Sequence, residues 1–197
     1  MAQRSADKIL EGNYLAITSD KGPDGNFCGF DRGFAWDQIV KREDVKREEE
    51  FVYDIEVADT HIFVANGILS HNSQILRYMS EMAPRGIYAS GKSSSAAGLC
   101  VAPESLIEVD GKQMPIGDFV ESRMRSPMGI EPGVWRQETR VNGVVTVSAD
   151  RHMDVRPVVS LFRLRTPSFL VELSTDAGNR VRTTPETMVR TRSGHQD

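Results

Sequence analysis

The sequence predicts a mainly β protein, and three observations support this fold class. The residues from Phe51 to Val57 alternate like a half-buried strand. Asn66-Gly67 and Asp110-Gly111 each stand between apolar runs, and both dipeptides are strong hairpin-turn signals. Runs rich in Val, Leu and Thr then recur through the last third of the chain. Together they indicate short strands joined by tight turns.

Taken in order, each element has its own local signal. Residues 1–30 are rich in Gly, Asp and Asn, which favours a remnant or a linker. Residues 41–50 are a dense mixed-charge run, which favours a solvated hairpin or loop, and residues 122–133 hold prolines and glycines that favour an irregular loop. Strands are predicted at 36–40, 51–57, 63–65, 106–109, 114–116, 141–148, 155–164, 169–174 and 180–184.

Composition restricts the class of protein. The hydrophobic fraction of 39% and the aromatic fraction of 7% are lean for a self-contained core, as expected for fragments of β-rich domains. A net charge of −4 argues against nucleic-acid binding through a basic face. We expect no membrane span, signal peptide or structural zinc site, because no apolar run or Cys/His spacing fits one. Two cysteines, Cys28 and Cys100, do not suggest a disulfide framework.

The residues His71-Asn72-Ser73 can carry chemistry on the chain's own backbone. The Asn72 amide can attack its own carbonyl, which closes a succinimide and breaks the next peptide bond. His71 can protonate or polarise the reacting groups, and Ser73 offers a hydroxyl nucleophile just beyond that bond. Three residues alone are a weak signal that any surface loop could hold.

Cys100 supplies a second nucleophile, 27 residues after Ser73. Its thiol can attack the carbonyl of Leu99 and exchange an amide for a more reactive thioester. A lone cysteine is more often a small buried hydrophobe. On Cys100 alone, the buried hydrophobe is the commoner interpretation.

Residues 51–72 resemble the C-terminal end of an intein, which finishes in His-Asn before a Ser, Thr or Cys. The resemblance implies that Asn72 cyclises, that His71 assists, and that Ser73 opens the downstream flank. Asp54 and His61 fall where the family keeps an acidic residue and a histidine near the junctions. Without the resemblance, they would be a strand-edge acid and an ordinary half-buried histidine.

Residues 100–120 resemble an intein N-terminus, and residues 169–191 resemble the next intein block. The family pattern in that block is Thr-x-x-His. This chain keeps the threonine, Thr184, but has Thr187 in the place of the histidine. The departure puts the speed of the Cys100 step in doubt. His152 and His195 lie outside the motif and receive no role. The resemblance implies a Hedgehog/intein (HINT) type horseshoe, without a homing-endonuclease motif. A functional thiol also favours a reducing, cytoplasmic compartment.

Residues 73–99 resemble a slice of a minichromosome-maintenance (MCM) replicative helicase. The resemblance implies that Ser73 becomes the Walker A serine, a magnesium ligand, once an upstream Gly-Lys is joined to it. ATP and Mg²⁺ would then serve the spliced helicase, and splicing itself needs no cofactor. Residues Gly86 to Ser93 also match G-x-x-x-x-G-K-S. We interpret this match as accidental. A genuine phosphate-binding loop follows a strand and opens a helix. Here the preceding residues have helical spacing, and the residues that follow are a Ser/Ala/Gly run.

The predicted organisation has three parts: 1–72 as an intein C-terminal part, 73–99 as a helicase segment of α/β type, and 100–197 as the N-terminal part of a second intein. The leading hypothesis is splicing in trans. Complementary intein fragments and helicase flanks on other chains would be the partners, and DNA would be bound only by the spliced helicase. Three alternatives stay open: one permuted intein that cyclises residues 73–99, an ATP-binding module that uses Gly86 to Ser93, and a decayed, inactive product.

Overall fold

The computed structural model describes residues 2–18, 34–71, 100–147 and 153–192, and in these ranges the chain is mainly β. The mainly β composition predicted from the sequence is therefore confirmed. A 3₁₀ turn, Ala6–Lys8, and one short helix, α1 at Ile116–Glu121, accompany the strands. The strands are β1 Ala2–Ser5, β2 Tyr14–Thr18, β3 Phe34–Lys46, β4 Phe51–Val57, β5 Ile62–Ala65, β6 Ile68–His71, β7 Leu106–Val109, β8 Lys112–Pro115, β9 Met128–Glu131, β10 Val134–Val147, β11 Met153–Arg165, β12 Phe169–Thr175, β13 Arg180–Thr183 and β14 Met188–Thr191.

The strands form two sheets. The first has the order β1-β14-β6-β2-β3-β12-β13, and β5 is added beside β6. The second has the order β4-β11-β10-β7-β8, with β9 beside β10. Neither sheet closes into a barrel within the described ranges. All of these strand pairs are antiparallel, as expected for a fold built from hairpins and short connections.

The sheets interleave two stretches of chain that are far apart in sequence. We call residues 2–18 and 34–71 the leading part, and residues 100–147 and 153–192 the trailing part. Leading strand β4 pairs with trailing strand β11, and leading strand β3 pairs with trailing strand β12. Trailing strand β14 pairs with the leading strands β1, β2 and β6. The ladder hydrogen bonds of these mixed pairs therefore require both parts.

The hydrophobic core is shared in the same way. One buried cluster contains Ile55 and Phe63 from the leading part together with Phe119, Leu161 and Val171 from the trailing part. Burial of each such side chain contributes roughly 1.5–3 kcal/mol, so the shared core favours the assembled state.

A polar contact also joins the two parts. The Tyr53 hydroxyl donates to a Glu121 carboxylate oxygen at 2.9 Å, and Arg163 donates to both carboxylate oxygens of Glu121 at 3.2 Å. Tyr53 belongs to leading strand β4, whereas Glu121 ends α1 and Arg163 lies in β11. The contact ties the short helix of the trailing part to the leading part.

The interleaving predicts that the two parts stay together when the chain between them is cut. The test is an inactive Asn72→Ala, Cys100→Ala chain with a protease site inserted between residues 72 and 99. After cleavage, we expect the pieces to elute as one species in gel filtration and to separate only under denaturing conditions. Two species in native buffer would show that the shared sheets do not hold.

Several sequence predictions are confirmed at the level of single turns. In the first predicted turn, φ is 49° at Asn66 and 77° at Gly67. In the second, φ is 50° at Asp110 and 75° at Gly111. Two consecutive positive φ values match the right-handed twist of the flanking strands. The strands predicted after residue 140 are also present, and those predicted at 141–148 and 155–164 begin earlier, at Val134 and Met153.

Three local predictions were wrong. Residues 2–5 and 14–18 are strands of the first sheet, so these parts of the 1–30 segment are not a remnant or linker. Residues 41–46 continue β3 and pair with β12, because polar side chains can alternate along a strand that has one solvated face. Residues 128–131 form β9, within the predicted irregular loop. The α/β prediction for 73–99 falls outside the described residues.

Candidate active site

Cys100 begins the trailing part and is held between strands of both parts. The next residue, Val101, forms a β-bridge to Tyr53 on one side and to Thr183 on the other. Tyr53 N–H donates to the Val101 carbonyl at 3.0 Å, and Val101 N–H donates to the Tyr53 carbonyl at 2.9 Å. The Cys100 residue is completely buried. Its position therefore depends on the leading part as well as on its own.

Three buried threonines surround the Cys100 peptide group. The Cys100 carbonyl accepts from the Thr184 N–H at 2.9 Å, from the Thr183 hydroxyl at 2.7 Å and from the Thr187 hydroxyl at 3.2 Å. The Cys100 N–H donates to Thr184 Oγ1 at 3.4 Å. That N–H belongs to the amide joining residues 99 and 100. Thr184 therefore contacts the leaving nitrogen of the bond that the Cys100 thiol would cleave.

Thr187 stands in the position where the resembled motif has a histidine. Its hydroxyl lies 3.0 Å from Thr184 Oγ1 and also contacts the hydroxyl of Thr183. Unlike an imidazole, a threonine hydroxyl does not change charge near neutral pH. The described residues thus offer hydroxyl groups, and no imidazole, at this peptide.

Asp54 is a buried carboxyl group with one unpartnered oxygen. One oxygen, Oδ1, accepts the Ile55 N–H at 2.8 Å, whereas Oδ2 has no hydrogen-bond partner among the described residues. Burial raises the pKa of Asp54 well above the usual value of an aspartate. Burial also raises the pKa of the Cys100 thiol, and the negative charges of Asp54 and Glu186 raise it further. The thiol is therefore held in its neutral form at neutral pH.

The raised pKa of Asp54 predicts that its carboxylate destabilises the fold at neutral pH. The folded state binds this proton more tightly than the unfolded chain, so stability falls as pH rises above the ordinary aspartate pKa of about 3.9. We expect Asp54→Asn to raise the midpoint of thermal unfolding by several degrees at pH 7. Each unit of pKa shift corresponds to about 1.4 kcal/mol.

The measurement is thermal unfolding of the two chains between pH 4 and pH 8. The gap between Asp54→Asn and the parent should widen with pH. Asp110→Asn, at an exposed turn, is the matched control and should leave the curve unchanged. A lower melting temperature for Asp54→Asn at pH 7 would contradict the buried-acid account.

The residues predicted to react at the other end of the segment follow β6, which ends at His71. The cross-strand partners of His71 are Ile62 in β5 and Met188 in β14. Met188 directly follows Thr187, whose hydroxyl contacts the Cys100 carbonyl. The end of β6 and Cys100 therefore lie in one neighbourhood, although 29 peptide bonds separate His71 from Cys100 along the chain. Asn72 and Ser73 lie outside the described residues.

His61 lies at the start of β5, one residue before the cross-strand partner of His71. It has a φ of 52°, an uncommon left-handed conformation for a residue other than glycine. Its N–H donates to the Val57 carbonyl at 3.2 Å. The backbone of His61 is therefore next in the chain to the residue that pairs with the end of β6.

The sequence did not identify every residue that shapes this site. Thr183 was missed, although a Thr-Thr pair at the end of a strand is a visible signal for a polar cluster. The first residues of the chain were missed as well. Ala6 N–H donates to the Thr187 carbonyl at 2.8 Å, and Asp7 N–H donates to the Pro185 carbonyl at 2.9 Å. The leading part thus fixes the turn that carries Thr184 and Thr187.

Comparison with known proteins finds helicase-like sequence in the middle of the chain. The family model of the MCM P-loop domain matches residues 45–121, a stretch that contains the whole 73–99 segment. Among curated proteins, the DNA replication licensing factor mcm4 of Schizosaccharomyces pombe is 49% identical over 41 residues. The aligned part is 21% of this chain and 4% of that relative. The chain therefore contains an MCM-related segment, as its sequence predicted.

Two further findings concern the described ranges alone. No group of His, Cys, Asp and Glu side chains within them has an arrangement that could hold a metal ion. No helix within them is long and apolar enough to cross a membrane.

Proposed function

We propose that this chain is a self-processing protein of the intein type, and that it acts on the two ends of its own MCM-related segment. Residues 100–192 would supply the N-terminal part of a HINT-type horseshoe, and residues 2–71 would supply the C-terminal part. One observation carries the proposal: the two parts share both sheets, and this sharing places His71 and Cys100 beside consecutive residues of the trailing part, Met188 and Thr187. The permuted, intramolecular arrangement is thereby favoured over two separate inteins.

The first step would open the bond between Leu99 and Cys100. The Cys100 sulfur attacks the Leu99 carbonyl carbon, the carbon–nitrogen bond breaks, and a thioester forms. The thiol proton leaves sulfur, and the departing Cys100 nitrogen gains a proton to become an amine. Thr184 contacts that nitrogen at 3.4 Å, and Asp54 and Glu186 are the nearby carboxyl groups able to exchange a proton.

The raised pKa of the Cys100 thiol has a consequence for this step. Only the thiolate is strongly nucleophilic, and its fraction is small at neutral pH when the pKa is raised. Without an imidazole at position 187, the chain lacks the usual acid of the motif. Thr183 and Thr187 instead hold the Cys100 carbonyl in place. We therefore infer a slow first step that depends on accurate positioning of this peptide.

The second step would transfer the segment to its own first residue. The Ser73 oxygen attacks the Leu99 thioester, so that an ester forms and the Cys100 thiol is released. The Asn72 side-chain nitrogen then attacks the Asn72 carbonyl carbon, which closes a succinimide and frees the Ser73 amine. That amine displaces the ester oxygen and forms an amide with Leu99. The product is a cyclic peptide of 27 residues, from 73 to 99.

The kinetic order of the reaction tests this proposal. If one chain holds the complete site, purified protein should process at a rate that does not depend on its concentration. A tenfold dilution series, followed by intact mass, measures this directly. A rate proportional to concentration would place the reacting groups on different chains. The Asn72→Ala, Cys100→Ala chain is the control for contaminating proteases.

Splicing in trans with partner chains is the second candidate, and the MCM relationship favours it. Ligation to helicase flanks would make the MCM-related segment part of a complete helicase. In that product Ser73 would be the Walker A serine, ATP and Mg²⁺ the cofactors, and DNA the partner. Complementary intein fragments added to the chain should then yield a longer ligated polypeptide, and its absence would remove this candidate.

A direct ATP-binding function is the remaining candidate, and the match to the P-loop family model favours it. The G-x-x-x-x-G-K-S string from Gly86 to Ser93 would be its site, and these residues lie outside the described ranges. Nucleotide titration decides the matter. Binding that Lys92→Ala abolishes would support an ATP module.

A further inference from the structure

One buried hydroxyl group of the trailing part, that of Thr146, contacts the residues on both sides of His61. The Thr146 hydroxyl donates to the Ile62 carbonyl at 2.6 Å, and the Thr60 and Thr146 hydroxyl oxygens are 2.7 Å apart. Because Thr146 uses its one proton on Ile62, Thr60 must be the donor in the second bond. Thr146 therefore contacts the residues on both sides of His61.

This contact crosses between the two parts. Thr146 lies near the end of β10 in the trailing part, whereas residues 60–62 belong to the leading part. Thr146 is fully buried, and it lies on the same strand face as the buried Val144. A polar side chain on an otherwise apolar face is costly unless its hydrogen bonds are satisfied. The contact to residues 60 and 62 satisfies it.

The conformation at His61 needs such support. His61 has a φ of 52° and Asp59 a φ of 65°, so the connection from β4 to β5 contains two residues in the left-handed region. For residues other than glycine, such a conformation is unfavourable and persists only where surrounding contacts hold it. The Thr146 contact to Ile62 is one of the described bonds that can hold this connection.

We propose that Thr146 is a positioning residue for His61, and that it makes cleavage after Asn72 depend on the docked trailing part. The inference rests on the proposed function, because it assigns His61 to the reaction at the end of β6. Ile62 is the cross-strand partner of His71, so a fixed Ile62 carbonyl fixes the place of His61 beside the end of β6. If the trailing part is not docked, this connection loses the bond from Thr146. Premature release of the segment is thereby suppressed.

The test uses the full chain with Cys100→Ala, which blocks the thioester step and leaves cleavage after Asn72 to be measured alone. Intact mass and gel electrophoresis follow the appearance of residues 1–72 and 73–197. We expect Thr146→Val to slow this cleavage about tenfold or more, because small displacements of a catalytic group have effects of this size. Thr146→Ser keeps the hydroxyl and should restore a rate close to that of the parent.

A matched control separates positioning from general stability. Thr175 is also a buried strand threonine whose hydroxyl donates to a backbone carbonyl, that of Asn179 at 3.5 Å, at the turn between β12 and β13. Thr175→Val should leave the cleavage rate unchanged. Equal slowing by Thr175→Val and Thr146→Val, or no slowing by Thr146→Val, would overturn the inference.

A second measurement does not depend on cleavage. Hydrogen exchange of a peptide covering residues 58–64, in the Asn72→Ala, Cys100→Ala chain, reports on the His61 N–H that donates to Val57. Exchange should be faster in Thr146→Val than in Thr146→Ser, and equal exchange would overturn the inference. Should the Cys100→Ala parent not cleave at all, the proposed function fails, while this exchange still decides whether Thr146 fixes the connection.

Discussion

Replacing Cys100 with alanine should abolish release of the segment from residue 73 to residue 99. Without the thiol no thioester can form at Leu99, and Ser73 has no activated carbonyl to attack. We expect release to fall by about a thousandfold or more, as when the nucleophile of a covalent mechanism is removed. Cleavage after Asn72 should continue, because succinimide closure needs only the asparagine and its surroundings. Intact mass of the purified chain over time measures both outcomes.

Two comparisons make the Cys100 result specific. Cys100→Ser retains a nucleophile of similar size and should release the segment slowly, because a serine hydroxyl is far less ionised than a thiol. Thr184→Val removes the hydroxyl that contacts the Cys100 nitrogen, and it tests whether this hydroxyl is needed for release in addition to the thiol. Unchanged release from Cys100→Ala would show that residue 100 is only a buried hydrophobe.

Replacing Asn72 with alanine should stop release at the opposite end of the segment. The thioester at Leu99 and its transfer to Ser73 remain chemically available, but the bond between residues 72 and 73 cannot break by cyclisation. A branched lariat of residues 1–99 should therefore accumulate beside free residues 100–197, with an ester between Leu99 and Ser73 that mild base cleaves. We expect the released segment to fall by about a thousandfold or more. Gel mobility before and after hydroxylamine treatment detects the branch.

The Asn72 variants can be graded. Asn72→Gln keeps an amide but must close a larger ring, so it should be slower than the parent and faster than Asn72→Ala. Combining Asn72→Ala with Cys100→Ala should leave the chain intact at both ends. Release of the segment from that double variant would assign the cleavage to another agent.

Local signals predicted much of the fold. Asn66-Gly67 and Asp110-Gly111 marked their hairpins because their backbone freedom fits turns that need positive φ. Strand β4 was visible from its alternation. Strand β1 was not predictable, because Ala2–Ser5 has no apolar alternation and exists through its pairing with β14. Pairing between distant segments is a tertiary effect that short-range patterns do not contain.

The candidate site was predictable where side-chain chemistry is distinctive. Cys100 and Thr184 could be selected from the sequence, and the structure brings them into contact. Thr146 could not be assigned a role, because its partners come from residues about 85 positions earlier. The sequence indicated only that Thr146 is a polar residue two positions after Val144, and therefore on the same face of the strand as this buried residue. Such a residue predicts an unknown hydrogen-bond partner rather than a function.

The mass of the segment released by the purified chain alone tests the central claim most directly. A single chain that holds both reacting ends in one site should release residues 73–99 as a ring, one water lighter than the linear peptide and without a free amino terminus. Release of the linear peptide alone, or no release until other polypeptides are added, would contradict the claim that one chain carries the complete site.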